Sequence, residues 1–419
     1  MHNETILCLS NRAWHSLWGE SQKLMSRIAR QNRVLFFEPG RSVNRSLMAE
    51  VRRNLPFFFK LSLQKLHENL IVIPTPATLP VGRRHLPRSV LQLTTPLGAK
   101  VNSKIMIRHV KWAMKALAVK DPILWLYSPY QADLVGQFNE KLSCYHNYDE
   151  FYHFVHNKPI KELIHQFDNR LSRQVDLVFT TSRAQWQRRK AVNNKTFFVP
   201  NGVDFDLFNR ALDPTLPLPA DISNVPSPII GFAGVLGHHI DVELLVRVAE
   251  AYPHCSIVLV GPDQLTDTMN RQKLKSLANV YFLGLKKLDE LPNYVQAFDA
   301  ALIPYLLTGH VLSGYPQKLH EYLSAGRAIV AVAMPELRPY CQVVRIAETQ
   351  QMFVNLIREA LDDNAPQVIQ ARVAVAQENT WDHRVEEIYR HMQPYLNIAG
   401  GRIRNVNSHV GLWHTAGSD

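Results

Sequence analysis

The segment Gly309 to Pro335, GHVLSGYPQKLHEYLSAGRAIVAVAMP, carries the residues best spaced to do chemistry. Ser313-Gly314-Tyr315 reads as a loop, and Pro316 suits a position at or just before a helix start. Gln317 to Ser324 is expected to form that helix, ended by Ala325-Gly326 before a strand that begins at Ala328. A small-residue loop at a helix N-terminus offers free backbone N–H groups and the positive dipole end, a setting suited to a diphosphate. Lys318 adds charge in the first turn, and Glu321 can accept hydrogen bonds from two ribose hydroxyls. The same residues also suit an ordinary helix whose Lys318 and Glu321 are solvated.

The elements around this segment follow a βα rhythm. Short apolar runs at Thr5–Ser10, Val34–Glu38, Leu70–Pro74, Ile123–Tyr127, Leu142–His146, Leu177–Thr181 and Thr196–Pro200 read as strands. Trp18–Gln31 and Lys158–Val175 read as helices between them. Asp213 to Pro228 then contains five prolines and reads as a linker. The pattern restarts with strands at Ile229–Ala233, Ser256–Val260, Val280–Leu283, Ala300–Pro304 and Ile329–Ala333, and a helix at Asp241–Ala251. The expectation is α/β: two doubly wound domains, 1–205 and 228–380, facing each other across a cleft, joined by 206–227. Ligands in such sheets bind beyond the carboxyl ends of the strands. A helix over about 381–396 is expected to pack back on the first domain, and the tail from 399 has no periodicity.

Composition narrows the class. The chain has 419 residues, 46% hydrophobic and 20% charged, which is ordinary for a globular protein of two domains. Its four cysteines form no CxxC pair, which argues against a zinc site or a disulfide framework. No signal peptide or membrane-spanning run is visible, so a cytoplasmic location is expected. The formal charge is +11. Its clusters are Arg41, Arg45, Arg52, Arg53, Lys60 and Lys65, then Arg83, Arg84 and Arg88, then Lys100, Lys104, Arg108, Lys111 and Lys115. Interleaved with Leu55 to Phe59, they fit a peripheral contact with an anionic membrane surface, or equally a solvated face over core phenylalanines. Zinc-finger spacing and RNP-type aromatics are missing, so no nucleic-acid partner is expected.

Four ordered motifs carry a family resemblance. PQKLHEYLSAGRAIVA resembles the P-x-K-x-x-E-Y-L signature of retaining glycosyltransferases of family four. VPNGVDFDLF, from Val199 to Phe208, is similar to the element that ends the first domain in that family. Gly231 to Pro262 and the stretch beginning NVYFLG follow in the family's order. The N-terminal half, with WHSLWGESQKLMSRIA, YHNYDEF and DLVFTTS, resembles the narrower teichuronic-acid-type group. The resemblance implies a GT-B fold and retaining, metal-independent transfer of a sugar in surface polysaccharide or glycoconjugate synthesis. The donor is then a UDP- or GDP-linked sugar, consumed as a substrate with no cofactor, and the acceptor a saccharide or a lipid-linked one. Donor contacts fall on Gly234, Gly237, His238, Asp241, Gly261, Pro262, Ser313, Gly314, Tyr315, Lys318, Leu319 and Glu321.

Departures from that family bear on chemistry. A second glutamate of the family would fall at Ser313, which leaves the sugar to the Ser313 hydroxyl and the backbone near Gly314. The family's Arg and Lys in the loop after the first C-domain strand are replaced here by GVLGHHIDVE, so Lys318 is expected to meet the phosphates. His146 and Asp149, after a predicted strand, are the acid–base candidates, and His15 and Gln22 the acceptor-side ones. The fold also suits a nucleotide-sugar epimerase, or a degenerate binder without turnover.

Overall fold

The structure, a computed structural model, describes residues 1–40, 63–79, 88–155 and 157–399. The basic residues Arg41, Arg45, Arg52, Arg53, Lys60, Arg83 and Arg84, the run Leu55 to Phe59, and the tail 400–419 lie outside these residues. All strands expected from the sequence form. The first sheet has eight strands in the order β3-β4-β2-β1-β5-β6-β7-β8. They are β1 Thr5–Leu9, β2 Arg33–Phe37, β3 Gln64–His67, β4 Leu70–Ile73, β5 Ile123–Leu126, β6 Leu142–Asn147, β7 Leu177–Thr180 and β8 Thr196–Phe198. Every pairing is parallel except β3 with β4.

The second sheet has six parallel strands in the order β11-β10-β9-β12-β13-β14. They are β9 Ile229–Ala233, β10 Ser256–Val260, β11 Val280–Gly284, β12 Ala300–Ile303, β13 Ala328–Val332 and β14 Arg345–Ala347. The central strands are apolar throughout because helices cover both faces, as parallel sheets require. In each sheet the strand order reverses once, between β1 and β5 and between β9 and β12. Those are the points where the flanking loops part and leave a crevice.

The two edge strands the sequence does not announce are β3 and β14. β3 is exposed along its whole length and β14 is three residues long, so neither presents the buried apolar run that marks a strand. The proline-rich segment does not run free. Ile222 is buried in the second core, and the Leu216 and Pro217 carbonyls accept hydrogen bonds from Gln296 and Asn293. The chain leaves the first sheet after β8 and returns beside itself, where Val203 bridges Thr380. The helix Trp381–Ala399 then packs on the helix Glu20–Ile28, placing Val385, Ile388 and Met392 in the first core.

The helix Arg88–Ala116 bears Lys100, Lys104, Arg108, Lys111 and Lys115 on its solvent side and buries Val110 and Ala113 on the sheet. Leu97 and Trp112 of the same helix are exposed. Among the described residues no helix is long and apolar enough to cross a membrane.

One glycine sets how closely the loops of the second sheet approach. Gly261 holds φ +141°, and a Cβ there would lie 1.8 Å from the Gly234 carbonyl oxygen. At Gly314 the nearest atom to such a Cβ is the His310 carbonyl oxygen at 3.3 Å, so the loop has to give by only a few tenths of an ångström. Gly261→Ala is expected to cost at least about 2 kcal/mol. Gly314→Ala is expected to move the denaturation midpoint far less than Gly261→Ala does; urea titration of both variants checks the contrast.

Candidate active site at the domain seam

The loops after β9 and β10 touch through their glycines. The Gly234 N–H donates to the Val260 carbonyl at 2.8 Å and the Leu236 N–H to the Pro262 carbonyl at 3.1 Å. The stem of Lys318 lies on this surface, since a Cβ on Gly234 would sit 3.0 Å from Lys318 Cε. Only glycine at 234 and 261 leaves backbone bare beside a lysine there. Gly237 closes the same loop, its carbonyl accepting from the Ile240 N–H at 3.1 Å.

Glu321, one turn along the helix Lys318–Ser324, is buried at the interface of the two domains. Lys318 Nζ donates to its Oε2 at 2.6 Å, and Lys23 Nζ of the first domain stands 3.9 Å from its Oε1. Lys23 is itself 3% exposed and also pairs with Asp204 Oδ2 at 3.3 Å, while Arg27 pairs with the other Asp204 oxygen. These two cations hold the Asp204 carboxyl below the usual range despite its burial. A chain of alternating charge therefore runs from Lys318 through Glu321, Lys23 and Asp204 to Arg27. Buried charges persist only when paired in this way.

Several donor-side candidates have structural tasks instead. Asp241 caps the helix Val242–Ala251, accepting from the Leu244 N–H at 2.9 Å and from Gln350 Nε2 at 2.9 Å. Both carboxylate oxygens are thus used by the fold. The Ser313 hydroxyl donates back to the Gly309 carbonyl at 2.7 Å, so it is not offered to a sugar. The Tyr315 hydroxyl bonds His320 at 2.7 Å and Tyr340 at 2.9 Å, and Leu319 is fully buried. What this loop presents is its backbone. The Ser313 and Tyr315 carbonyls accept from Ser182 and Asn201 of the first domain at 2.7 and 3.3 Å, locking the two halves in register.

Four histidines and one aspartate gather where the halves meet. The His238 ring stands 5.8 Å from that of His239 and 6.1 Å from that of His310. His310, on the short helix Gly309–Leu312, faces Asp149 of the first domain, Nδ1 to Oδ1 3.3 Å. The His153 ring packs on the Gly309 backbone. Burial first, then His238 and Lys318, pushes His239 down to about 4, and burial with His238, His239 and His153 does the same to His310. Burial raises Asp149 to about 7, opposed by Arg12 and helped by Glu150. The expected candidate Asp149 therefore sits at the seam.

His146 does not. It is 2% exposed, stacked on Tyr127 at 5.5 Å and packed near Trp125 and Phe179, with Nε2 3.3 Å from Glu20 Oε1. Burial lowers it to about 3, so it is a neutral core imidazole. The strand β6 runs one residue past the expected end, to Asn147, which keeps position 146 inside the sheet layer. Gln22 is fully buried and shapes the loop before its helix, accepting from the Gly19 N–H at 3.1 Å and donating to the Ala13 carbonyl at 2.9 Å. His15 is exposed and bonds Gln64 at 3.1 Å. The crevice of the first sheet opens elsewhere, as a cavity of about 440 Å³ lined by Asn11, Glu38, Asn102, Ser128, Tyr130 and Gln131 among others.

Two Rossmann-like domains with facing switch points and a return helix constitute the GT-B fold. Residues 227–363, about a third of the chain, match the family described as glycosyl transferases group 1. The chain is 24% identical over 233 residues to the putative teichuronic acid biosynthesis glycosyltransferase TuaH of Bacillus subtilis strain 168. That match covers 54% of this chain and 55% of TuaH, about half of each. Among solved structures, sucrose-phosphate synthase from Thermosynechococcus elongatus superposes with a TM-score of 0.66 at 16% identity, covering 94% of this chain and 100% of that one. HepE of Anabaena, in complex with UDP and glucose, superposes with a TM-score of 0.61 at 16% identity over the same shares. At these identities the likeness establishes the fold.

Sequence reasoning passed over Glu20, Lys23, Asp204, His153 and His310, which the fold brings to or beside the seam. Lys23 and Glu20 lie in a helix whose apolar periodicity says which face is buried, but not that charges share that face. Glu20 is raised from 4.5 to about 8 by burial, against a hydrogen bond from Tyr127 and the charge of Arg12. The unfolded chain gives up this proton near pH 4.5 and the folded chain near pH 8, so stability falls as pH rises between them. Glu20→Gln removes that slope. The variant is expected to match wild type near pH 4.5 and to exceed it by roughly 2–4 kcal/mol at pH 8, read from denaturant midpoints.

Proposed function

We propose that the protein transfers a sugar from a nucleotide-sugar donor to a hydroxyl-bearing acceptor, with the donor held by the second domain and the acceptor by the first. The observation that carries this reading is Glu321. It is a buried carboxylate next to Lys318 and two bare glycine loops, facing the opposite domain. A ribose offers two hydroxyl donors to such a carboxylate, and a diphosphate beside Lys318 releases it from its present pairing. HepE, of the same fold, holds UDP in its complex, which makes UDP the first nucleotide to test here, followed by GDP.

In the transfer the bond from the sugar's anomeric carbon to the diphosphate oxygen breaks, and its electron pair leaves on the diphosphate. The acceptor oxygen forms the new bond on the same face, and its proton passes to the departing phosphate oxygen. Configuration is retained. Fixed charge and backbone N–H groups near the leaving group lower the barrier because they need no reorganisation as charge develops. Asp149 at the seam is suited to hold a sugar hydroxyl. The acceptor is a saccharide or lipid-linked saccharide, in keeping with the resemblance to TuaH.

Binding tests the reading directly. A thermal-shift panel of nucleoside diphosphates is expected to show one base raising the midpoint, with about 2.7 kcal/mol of stabilisation at a hundredfold excess over Kd. Glu321→Gln is expected to weaken that nucleotide by at least about tenfold, through loss of charge-assisted bonds to the ribose. If no nucleoside diphosphate shifts the midpoint, or Glu321→Gln binds as wild type does, the assignment fails.

A further inference from the structure

Beside the glycine loops of the donor site as described lies Lys318, and that lysine is already paired with Glu321 at 2.6 Å. A sugar nucleotide brings two negative charges. His239, on the loop after β9, feels Lys318, and beyond it stand His238 on the same loop and His310 on the short helix Gly309–Leu312. The His238 ring lies 5.8 Å from that of His239 and 6.1 Å from that of His310. Such a cluster invites a metal, yet no group of three His, Cys, Asp or Glu among the described residues is arranged to hold one. An anion fits the same cluster once the rings are protonated.

We propose that His238 and His310 supply the charge that meets the donor's diphosphate, so that donor binding draws a proton from solvent onto this cluster. The inference rests on the donor-site reading above. Without ligand, burial and then like-charge neighbours keep His239 and His310 neutral, each near 4. An opposite charge within about 4–6 Å moves a pKa by about one to three pH units, which brings an imidazole from there to near neutrality. His238 is exposed at the rim and His310 half-buried behind it, so the pair spans the depth of the site. The groups acting on the cluster are Asp149 and His153 from the first domain, Lys318 from the second through His239, and Arg12 through Asp149. His153 in turn faces Arg188 and Lys161.

By linkage, a donor that binds the protonated cluster loses affinity as pH rises. Asp149 titrates in the same window and, once ionised, would also repel the diphosphate, so the test must separate the two. The experiment is calorimetric titration of the full chain with a panel of UDP- and GDP-sugars, whose diphosphate diesters do not titrate near neutrality. Runs at pH 6, 7 and 8 use two buffers of different ionisation enthalpy. The wild type is expected to bind about tenfold more weakly at pH 8 than at pH 6, with net proton uptake at pH 7. The double variant His238→Gln/His310→Gln is expected to bind weakly at both pH values with a ratio within about twofold. Asp149→Asn is expected to keep the wild-type ratio.

Binding without proton uptake, or a pH ratio that survives in the double variant, overturns the proposal and leaves the donor site standing. A ratio abolished by Asp149→Asn alone overturns it as well. Failure of every sugar nucleotide to bind removes both. The wild-type uptake measurement needs no variant to fold, so it decides even if the double variant does not.

Discussion

The arrangement of this molecule depends on one line of buried charge. Lys318, Glu321, Lys23, Asp204 and Arg27 alternate in sign across the boundary between the domains, and each of the two carboxylates stands between two cations. Each charge comes from a different structural duty. Lys318 and Glu321 open the helix against the glycine loops, Lys23 and Arg27 lie on the first helix of the other domain, and Asp204 stands where the chain crosses between them. The geometry of the seam and the chemistry of the site are thus set by the same atoms. A ligand that takes Glu321 for itself alters the connection between the domains in the same act.

Much of the fold is legible in the sequence because parallel strands are buried on both faces. An apolar run such as IIGFA or SIVLV has no reading other than a central strand once helices flank it. The elements that escape are those without that signature. β3 is exposed and β14 is brief. The proline-rich segment looks like a connector by composition, yet Ile222 and the Leu216 and Pro217 carbonyls bind it to the second domain. Proline content forbids regular structure but says nothing about packing.

The site was legible where backbone chemistry dictates residue type and obscure where pairing does. Gly234, Gly261, Lys318 and Glu321 announce themselves by the need for bare backbone beside charge. Asp241 and Ser313 look like ligand contacts in one dimension and are spent on a helix cap and a carbonyl in three. His146 follows a strand by sequence but stays within the sheet layer among aromatic rings. His310 is the converse case. Nothing in GHVLSGYP marks it, and only the approach of Asp149 from the other half gives it a role.

The return of Trp381–Ala399 to the first domain carries a consequence for how the chain matures. Val385, Ile388 and Met392 fill a core whose other members are supplied by residues before position 200. During synthesis the leading half therefore emerges with an open apolar slot on its first helix, and that slot stays wet until the trailing helix arrives. The second domain, by contrast, is contiguous in the chain and has all of its parts as soon as it leaves the ribosome. The later-made half needs nothing further, whereas one face of the earlier-made half waits for the trailing helix.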